Sequence, residues 1–315
     1  VVVFFLMMRG PPRSTQGRSS AASDVYKRQM PELPEVETIV RALREGGREN
    51  QPPILGRRLI GGEVLWPRTL VEPPVEEFNV RLAGQRVEGV SRRAKFICLR
   101  LSLDALLVHL RMSGDLRVEP ARAEDGAIAP LQIHDRLALY FEDGLRLVFN
   151  DTRKFGRVWL VREAQTVLGG LGPEPLDPGF NPGEFTRMLQ ARSRQLKPLL
   201  LDQTFIAGLG NIYADEALHV ARLHPLQLSN ELTGENCIQL WHAIRNTLNE
   251  GIQRNGASID WVYRGGSFQN QFRVYARTGE PCPICQTPIQ RILVGQRGTH
   301  FCPVCQPAPA SPAKR

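Results

Sequence analysis

Four cysteines near the carboxyl end of the 315-residue chain have the spacing of metal ligands. They form two Cys-x-x-Cys pairs, Cys282 with Cys285 and Cys302 with Cys305, separated by 16 residues. Each pair can present two thiolates to one ion, so the pattern predicts a four-cysteine zinc ribbon with one structural zinc. Two disulfides or free thiols are the alternative. Because four thiolates leave no open coordination position, this zinc would shape the chain without entering a reaction.

The residues between the two cysteine pairs predict the hairpin of such a ribbon. Ile289–Val294 and Thr299–Phe301 have the composition of its strands, and Gly295–Gly298 that of its tip. Arg297 lies within the tip, where a guanidinium on a rigid hairpin can contact a nucleic-acid phosphate. A solvated turn arginine is the alternative. The two remaining cysteines are expected to be reduced, buried thiols of a cytoplasmic protein.

A cluster of acids marks the start of a helix just after Met30. The apolar residues from Val36 to Leu43 recur at helical spacing, which predicts an amphipathic helix. Three glutamates stand at its front, where carboxylates suit the positive end of the helix dipole. They are Glu32, Glu35 and Glu37.

The rest of the chain divides into a β-rich part and a helical part. Closely spaced strands without intervening helices predict an antiparallel sandwich or barrel. These runs are Arg86–Val90, Lys95–Leu101, Ala105–Leu110, Leu137–Phe141, Arg146–Phe149 and Arg157–Val161. A stretch dense in Gly and Pro, residues 169–183, predicts the domain linker. Helical patterns follow at Pro182–Gln190, Leu196–Asp202, Tyr213–Ala221 and Glu231–Asn255.

The first 29 residues differ from the remainder. Their apolar run, Val1–Met8, precedes the first arginine, which is the wrong order for a secretory signal, and it is far too short to span a membrane. We interpret residues 1–29 as an artefactual extension, with a disordered natural extension as the alternative. The extension carries five basic residues and one acidic residue, so only half of the formal net charge of +8 belongs to the chain from Met30 onward. Net charge is therefore weak evidence for a nucleic-acid partner.

Five sequence motifs occur in a fixed order along the chain. The first is Met30-Pro-Glu-Leu-Pro-Glu-Val-Glu-Thr. Arg93-Ala-Lys-Phe, His109-Leu-Arg-Met-Ser-Gly and Asp151-Thr-Arg-Lys-Phe-Gly follow, and then Gly208-Leu-Gly-Asn-Ile-Tyr-Ala-Asp-Glu precedes the cysteine ribbon. In this order they resemble the bacterial formamidopyrimidine-DNA glycosylase family over nearly the whole chain after residue 29.

The resemblance implies a bifunctional DNA glycosylase and abasic-site (AP) lyase that excises oxidised purines such as 8-oxoguanine and formamidopyrimidines. In that family the initiator methionine is removed, and the exposed proline nitrogen, here of Pro31, attacks C1′ of the damaged nucleotide. A terminal amine has an unperturbed pKa of about 7.7–8.0, so a useful fraction is nucleophilic near neutral pH. Being a secondary amine, it would give a cationic iminium that supports β and δ elimination.

Besides Pro31, two residues match the family's catalytic positions, and a third matches its lesion pocket. Glu32 resembles the general acid/base that moves a proton at the sugar ring oxygen, with a helix-dipole carboxylate as the alternative. Lys95 resembles the lysine that contacts the phosphate and sugar at the lesion, with a solvated lysine at a strand end as the alternative. Glu35 matches a position near the lesion pocket, and we expect it to have a supporting role.

The resemblance also implies how DNA is held. Met112, Arg153 and Phe155 match the residues that fill the gap left by an extruded nucleotide, with Arg153 bonded to the orphaned cytosine. Ordinary core packing is the alternative for the methionine and the phenylalanine. Asn211 lies in the glycine turn of a helix–two-turn–helix, whose free backbone N–H groups would grip a phosphate.

Looser matches complete the expected DNA contacts. Lys197 matches a lysine on the phosphate side. His109 and His134 match DNA-side positions, but a structural histidine is an equal alternative for each. The segment Ser258–Tyr275 is shorter than the lesion-capping loop of well-known relatives. This departure from the family pattern bears on which damaged base is recognised more than on backbone binding or lyase chemistry.

The predicted fold is α+β, with an N-terminal antiparallel β-sandwich and a C-terminal helix–two-turn–helix domain that carries the four-cysteine zinc ribbon. The expected catalytic sandwich domain covers residues 30–168, and the linker covers 169–183. The expected helix–two-turn–helix domain is 184–270, the ribbon is 271–306, and a disordered tail occupies 307–315.

The expected partner is double-stranded DNA that contains oxidised bases or abasic sites. We expect a monomeric bacterial protein of the cytoplasm and nucleoid, without a membrane association. An oxidised-pyrimidine glycosylase of the endonuclease VIII type and a non-catalytic nucleic-acid-binding module are the alternative functions. With Met30 still attached, the nitrogen of Pro31 is a tertiary amide, so the full 315-residue form is predicted to be inactive.

Overall fold

The computed structural model describes residues 30–258 and 265–309, which form a β-sandwich, a helical unit and a small β-hairpin. The predicted extension (1–29), the larger part of the predicted tail, and residues 259–264 of the predicted short capping segment lie outside the described residues. Within the described ranges, no helix combines the length and apolarity that crossing a bilayer requires.

Helix α1 (Leu33–Glu45) joins the two main units of the fold. Its first residue, Leu33, belongs to the core of the helical unit, whereas Val36, Ile39, Val40 and Leu43 pack into the core of the sandwich. The helical spacing of these apolar residues gives α1 one continuous buried stripe. The amino-terminal end of the chain from Met30 is therefore held at the junction between the two cores.

Two sheets pack face to face in the sandwich, as the sequence predicts. The described strands are β1 (Leu59–Val64), β2 (Leu70–Glu72), β3 (Val87–Arg93), β4 (Phe96–Leu101), β5 (Ala105–His109), β6 (Gly114–Pro120), β7 (Asp135–Phe141), β8 (Leu145–Asp151) and β9 (Arg157–Val161). One sheet has the order β1-β7-β8-β6 and the other the order β2-β9-β5-β4-β3. All described pairs in these sheets are antiparallel except the short β2–β9 pair, and the predicted antiparallel sandwich is confirmed.

Several elements of the sandwich escape prediction because their sequences contain breaker residues. Strand β6 alternates between inward and outward side chains, but glycine begins it and proline ends it. Strand β1 contains a Gly-Gly pair at its centre. Helix α2 (Val75–Leu82) directly follows two prolines, and α3 (Gln165–Leu168) is a single turn.

The helical unit agrees closely with the predicted helices. It contains α4 (Pro182–Gln190), α5 (Leu196–Leu201), α6 (Asn211–Val220) and α7 (Gly234–Gln253). Helix α4 starts where the Asn181 side chain accepts the Glu184 N–H at 2.9 Å, and α7 starts where the Thr233 hydroxyl accepts the Asn236 N–H at 3.1 Å. These caps fix the starts of two helices that pack around α6 in a second apolar core.

Strands β10 (Gln290–Val294) and β11 (Arg297–Phe301) form the predicted ribbon hairpin. Val294 pairs directly with Arg297, so the turn consists of Gly295 and Gln296 alone, with φ of 53° and 61°. Two positive φ values are typical of the tight turns that match the twist of a hairpin. Strand β11 thus begins at Arg297, two residues earlier than predicted, and this exposed arginine directly follows the turn at the tip of the hairpin.

Candidate active site and DNA interface

One cavity of about 100 Å³ lies where the sandwich, the helical unit and the hairpin meet. Each unit contributes residues to its wall, and several of them are predicted site residues from distant parts of the sequence. The lining residues are Met30, Glu32, Lys95, Leu201, Gln203, Gly210, Asn211 and Arg297. The structure thus brings Glu32, Lys95, Asn211 and Arg297 to one place.

Glu32 is fixed in this cavity by the start of helix α6. Its carboxylate accepts the backbone N–H of Gly210 at 2.7 Å and that of Ile212 at 2.9 Å, and a longer contact of 3.4 Å joins it to Tyr213 N. A carboxylate at this place interacts favourably with the positive end of the α6 dipole. The sequence predicts that these N–H groups grip a DNA phosphate, but the structure gives these three to Glu32. The phosphate-binding role predicted for Asn211 must therefore use other atoms.

Burial shifts the pKa values of Glu32 and Lys95 in opposite directions. Burial raises the pKa of the Glu32 carboxyl, and the positive charge of Lys95 and the N–H donors offset this only in part. Burial likewise lowers the pKa of the Lys95 ammonium, against the opposing effect of Glu32 and Glu35. Both shifts favour the neutral forms, because charges lose hydration in a closed cavity. Glu32 can consequently hold a proton at a higher pH than an exposed glutamate.

A residue of the predicted linker holds Lys95 in place. Lys95 follows Ala94 in the turn between β3 and β4, and Ala94 has a positive φ of 53°. Glu174 accepts the N–H of Ala94 and forms a 2.9 Å ion pair with Arg92 at the same turn. Nothing in the local sequence singles out Glu174, since it lies in a Gly/Pro-dense stretch that has no periodic pattern.

Glu35 connects three elements behind the cavity. Its carboxylate accepts the Glu32 N–H at 2.9 Å, the Tyr213 hydroxyl at 2.8 Å and the Ala257 N–H at 2.7 Å. Burial and the neighbouring Glu32 raise its pKa to about 7. At Gly256, with φ of 77°, any Cβ would come within 2.7 Å of the Glu35 carboxylate. Glu35 thereby fixes the chain that leads into residues 259–264.

Pro31 is half-buried and lies directly before Glu32, ahead of the first turn of α1. Met30 is bonded to its nitrogen and lines the cavity. In the chain as written, the predicted nucleophile is therefore an amide, and the residue that blocks it lies in the wall of the cavity.

Lys197 does not lie on the surface. Its side chain is fully buried, and its ammonium donates to Asp215 Oδ1 at 2.6 Å and to the Asn211 carbonyl at 2.8 Å. Both contacts are internal, so the structure contradicts the prediction of a direct phosphate contact by this lysine. Asp215 Oδ2 also accepts the His300 N–H at 2.9 Å, which ties the hairpin to α6.

Asn211 lies at the first position of α6, beside the hairpin. Its Nδ2 donates to the Gly298 carbonyl at 3.0 Å. Its Oδ1 is buried and has no hydrogen-bond partner among the described atoms. A buried acceptor without a partner is costly in a finished structure, so this oxygen is available to a donor that enters the cavity.

The three predicted gap-filling residues lie in two loops at one end of the sandwich. Met112 is half-buried in the loop between β5 and β6, and Arg153 and Phe155 are in the loop between β8 and β9. The Phe155 ring is 49% exposed, and the Arg153 guanidinium lies 5.6 Å from its centroid. An exposed aromatic ring on a loop is what an apolar wedge requires, and core packing does not account for it.

The two predicted histidines occupy different environments. His109 is buried, its Nδ1 accepts the Arg111 N–H at 3.0 Å, and its ring contacts Phe96 edge to face at 4.7 Å. Burial lowers its pKa to about 3, so the ring is neutral and cannot pair with a phosphate as a cation. These contacts fit the structural alternative for His109, and its contact with DNA stays a prediction. His134 is exposed, and its Nδ1 lies 3.4 Å from Arg136 Nη2.

The four ribbon cysteines form one cluster whose sulfur atoms all lie within 4.8 Å of one another. The shorter separations are 3.4 Å for Cys285–Cys302, 3.5 Å for Cys285–Cys305 and 3.8 Å for Cys282–Cys305. Tetrahedral zinc with Zn–S bonds of about 2.3 Å places its sulfurs roughly 3.8 Å apart, so the cluster fits one structural zinc ion. The Nε2 of buried His219 lies 3.5 Å from Cys282 Sγ, which links the cluster to α6.

Helix α6 is thus the element to which most of the site is attached, and two of its acids were missed from the sequence. Glu216 is fully buried and accepts the N–H groups of Arg273, Val274 and Tyr275 at 2.8–3.0 Å. Asp215 holds Lys197 and the hairpin, as described above. The available signal is that these consecutive acids stand in an otherwise apolar helix, a position in which acids are buried only with partners.

Comparisons with known proteins agree with this geometry along the chain. Family models described as "Formamidopyrimidine-DNA glycosylase N-terminal domain", "Formamidopyrimidine-DNA glycosylase H2TH domain" and "Zinc finger found in FPG and IleRS" match residues 30–158, 171–262 and 279–308. A formamidopyrimidine-DNA glycosylase of Chloroflexus aurantiacus is 46% identical over 286 residues, covering 88% of this chain and 98% of the relative. One of Protochlamydia amoebophila is 42% identical, covering 88% and 99%.

Solved structures give the same result. Lactococcus lactis Fpg (MutM) in complex with DNA containing N7-benzyl-Fapy-dG is 37% identical and has a TM-score of 0.79, covering 88% of this chain and all of that one. The same Lactococcus lactis protein with abasic-site DNA gives 0.78 at the same identity and coverage. MutM in complex with DNA containing carbocyclic 8-oxo-G is 36% identical and gives 0.79, again covering 88% and 100%. With these matches over the fold, the cavity and the ribbon, the chain belongs to the formamidopyrimidine-DNA glycosylase family.

Proposed function

We propose that this enzyme excises oxidised purines, among them 8-oxoguanine and formamidopyrimidines, from double-stranded DNA and then cleaves the abasic strand, as a step of base-excision repair. Its family membership supports this reaction class, and the names of its relatives favour purine over pyrimidine lesions. The observation that carries the proposal is the cavity lined by Glu32, Lys95 and Asn211, with Pro31 directly before Glu32 in the chain.

We infer that Pro31 acts once Met30 has been removed. Its nitrogen lone pair forms a bond to C1′ of the damaged nucleotide, and the C1′–base bond breaks, so that the base leaves with the bonding electron pair and takes up a proton. The nitrogen then loses its own proton. The C1′–O4′ bond breaks with its electron pair going to O4′, which takes up a proton, while the nitrogen lone pair turns the nitrogen–C1′ bond into an iminium. This cation makes the C2′ proton acidic, and loss of that proton breaks the C3′–O bond and expels the 3′ phosphate. The conjugated iminium that results then loses the C4′ proton, and the C5′–O bond breaks to expel the 5′ phosphate.

Glu32 is suited to supply the proton that O4′ needs. Because burial raises its pKa, its carboxyl retains a proton where an exposed glutamate would have lost it. Its hydrogen bonds to Gly210 and Ile212 prevent the side chain from swinging away from Pro31. The same group, once ionised, can accept the proton that elimination releases.

Lys95, Asn211 and Arg297 surround the place where the backbone phosphate of the lesion would lie. A phosphate that enters the cavity would favour the charged form of Lys95, whose pKa burial lowers. The unpartnered Asn211 oxygen needs a donor, such as an ordered water on the phosphate, and Arg297 is exposed at the rim. In this arrangement, the three side chains hold backbone and read no base.

The two loops that carry the predicted gap-filling residues would act on the opposite side of the nucleotide. We assign Met112 and Phe155 to the stack, where they replace the extruded base, and Arg153 to the orphaned cytosine. The zinc ribbon orients Arg297 and the Gly298 carbonyl, and its zinc has no open position for substrate. We further propose that the enzyme works as a monomer and is associated with the bacterial nucleoid.

Borohydride trapping tests this proposal. A form that begins at Pro31 is incubated with duplex DNA containing 8-oxoguanine opposite cytosine, and borohydride is added during turnover to reduce the iminium to a stable amine. We expect a covalent protein–DNA adduct whose cross-linked peptide maps to Pro31. A parallel duplex with thymine glycol should give much less adduct. An adduct mapped to another residue, or none with any lesion, would refute the mechanism.

A further inference from the structure

Two loops that are far apart in sequence leave the sandwich side by side. Residues 110–113 connect β5 to β6, and residues 152–156 connect β8 to β9, so each loop crosses from one sheet to the other. In the ladders, Gly114 pairs with Asp151 and His109 pairs with Arg157. Both loops are therefore anchored at matched positions at the same end of the sandwich. We call them the gap-filling loops, because they carry Met112, Arg153 and Phe155.

One buried carboxylate joins the two loops. Asp151, at the end of β8, is fully buried, and its Oδ1 accepts the hydroxyl of Ser113 from the first loop. The same oxygen lies 3.1 Å from Arg153 N, and Oδ2 accepts the Gly156 N–H at 2.7 Å, both in the second loop. Ser113 Oγ also accepts the Arg153 N–H at 3.0 Å. The backbone of the second loop is thus bonded at both of its ends to a group that the first loop shares.

The packing beneath the carboxylate restricts the loops in the same way. Gly114 directly follows the first loop and Gly156 ends the second, and both lie against the Phe149 ring. A Cβ at Gly114 would come within 2.7 Å of that ring and 2.5 Å of the Leu110 carbonyl, and a Cβ at Gly156 would come within 2.7 Å of the ring. Both loops are thereby clamped between Phe149 on one side and Asp151 on the other.

We propose that Asp151 and Ser113 are positioning residues that hold the two gap-filling loops as one rigid unit, so that Met112, Arg153 and Phe155 enter the DNA stack together. This inference rests on the proposed function, because it takes these three side chains to fill the gap. Charge-assisted hydrogen bonds to backbone N–H groups are strong and directional, so one carboxylate can fix both loops. A rigid unit loses little side-chain and loop freedom when it replaces an extruded nucleotide.

The test compares two reactions of the zinc-loaded protein that begins at Pro31. Excision of 8-oxoguanine from a duplex opposite cytosine requires extrusion and gap filling. Borohydride trapping on a single strand that carries a preformed abasic site requires only the Pro31 chemistry. In Asp151→Asn, an amide nitrogen replaces one carboxylate oxygen. This nitrogen cannot accept the backbone N–H that it faces, so one of the bonds to the loops is lost. We expect single-turnover excision to fall by about ten- to a hundredfold, while trapping on the single strand changes by less than about twofold.

Ser113→Ala removes only the hydroxyl that the two loops share. We expect a smaller loss of excision in the same direction, and the ratio of excision opposite cytosine to excision opposite adenine should fall, because Arg153 is no longer aimed at the orphaned base. If Asp151→Asn fails to fold, the ratio of duplex excision to single-strand trapping in Ser113→Ala decides the question.

Asp104→Asn is the matched control. Asp104 is also buried and holds Arg81 and Gln85 by bonds of 2.6 and 2.7 Å, but it contacts neither gap-filling loop among the described residues. We expect this variant to lower the melting temperature and to leave the ratio of the two reactions unchanged. A folded Asp151→Asn or Ser113→Ala protein with the unaltered ratio, or with equal losses in both reactions, would overturn the inference. If the unaltered protein gives no trapped adduct, the proposed function itself fails, and the inference fails with it.

Discussion

Replacing Lys197 by methionine tests whether this lysine acts inside the protein or on DNA. Its ammonium is fully buried, 2.6 Å from Asp215 and 2.8 Å from the Asn211 carbonyl. Removing one partner of a buried ion pair costs about 3–5 kcal/mol, because the other charge remains buried without its partner. Asp215 keeps its bond to the His300 N–H, so we expect the lower end, about 3 kcal/mol. For a protein of more than about 250 residues, that loss lowers the melting temperature by roughly 5 °C.

The assay pairs thermal unfolding with the salt dependence of DNA binding. A buried lysine contributes nothing to counterion release, so the slope of log affinity against log salt should not change in Lys197→Met. A lost phosphate contact would instead reduce that slope by about 0.9. Arg297→Met is the control with the opposite expectation, a reduced slope with a nearly unchanged melting temperature, because Arg297 is exposed on β11.

A double variant separates the ion pair from general damage to the fold. Lys197→Met combined with Asp215→Asn removes both charges, so it should recover part of the lost stability relative to Lys197→Met alone. A Lys197→Met protein with an unchanged melting temperature and a reduced salt slope would refute the reasoning from burial. It would show that this lysine reaches a phosphate after all.

Three further predictions concern the amino terminus, one buried acid and the zinc. A protein that begins at Pro31 should form a covalent adduct with abasic DNA when borohydride is added. One that retains Met30 should give at least about a hundredfold less adduct, because an amide nitrogen is not nucleophilic. Equal adduct yields on a denaturing gel would contradict this. The pKa of Glu35 is raised to about 7. Between about pH 4.5 and 7 the folded chain therefore binds more protons than the unfolded chain. The free energy of unfolding should fall by about 3 kcal/mol as the pH rises through that window. Glu35→Gln should therefore flatten the melting temperature between about pH 5 and 8, and an unaltered pH curve would count against the assignment. Chelating the zinc should weaken DNA binding by about tenfold or more, as measured by fluorescence anisotropy, because the released hairpin carries Arg297 away from the cavity. Unchanged affinity of the metal-free protein would show that the hairpin does not depend on zinc.

The parts of the fold that the sequence predicts are those with a local periodic signal. Helices α4 and α7 repeat apolar residues at helical spacing, and most strands of the sandwich are short apolar runs bounded by turn residues. The ribbon follows from cysteine spacing, which is also local. Strand β1 lacks such a signal because a Gly-Gly pair interrupts it, and its ladder with β7 contains a register shift. Strand β6 alternates apolar and polar residues but is short and bounded by glycine and proline, and its ladder with β8 is regular.

The contacts within the site could not be predicted in the same way. Glu32 and Gly210 are 178 residues apart and meet through a backbone N–H, a group that every residue except proline possesses. Lys197 precedes a proline near a helix start, where a lysine is usually solvated, and nothing local indicates that Asp215 will bury it. Motif resemblance selected four residues that the structure brings to one cavity, Glu32, Lys95, Asn211 and Arg297, but it could not say whether each one faces DNA or the interior.

The bonds of Glu32 have a consequence for how the reaction is positioned. The carboxylate beside Pro31 is bonded to the N–H of Ile212, and the preceding residue along α6 is Asn211. One hydrogen bond, from Ile212 to Glu32, and one peptide unit, between Ile212 and Asn211, thus connect the residue beside Pro31 to the residue that we assign to the phosphate. Because this link is short and buried, movement of the sandwich against the helical unit cannot separate the nucleophile from the phosphate site without breaking it. On the proposed assignment, a DNA phosphate held at Asn211 would therefore stay at a fixed distance from Pro31.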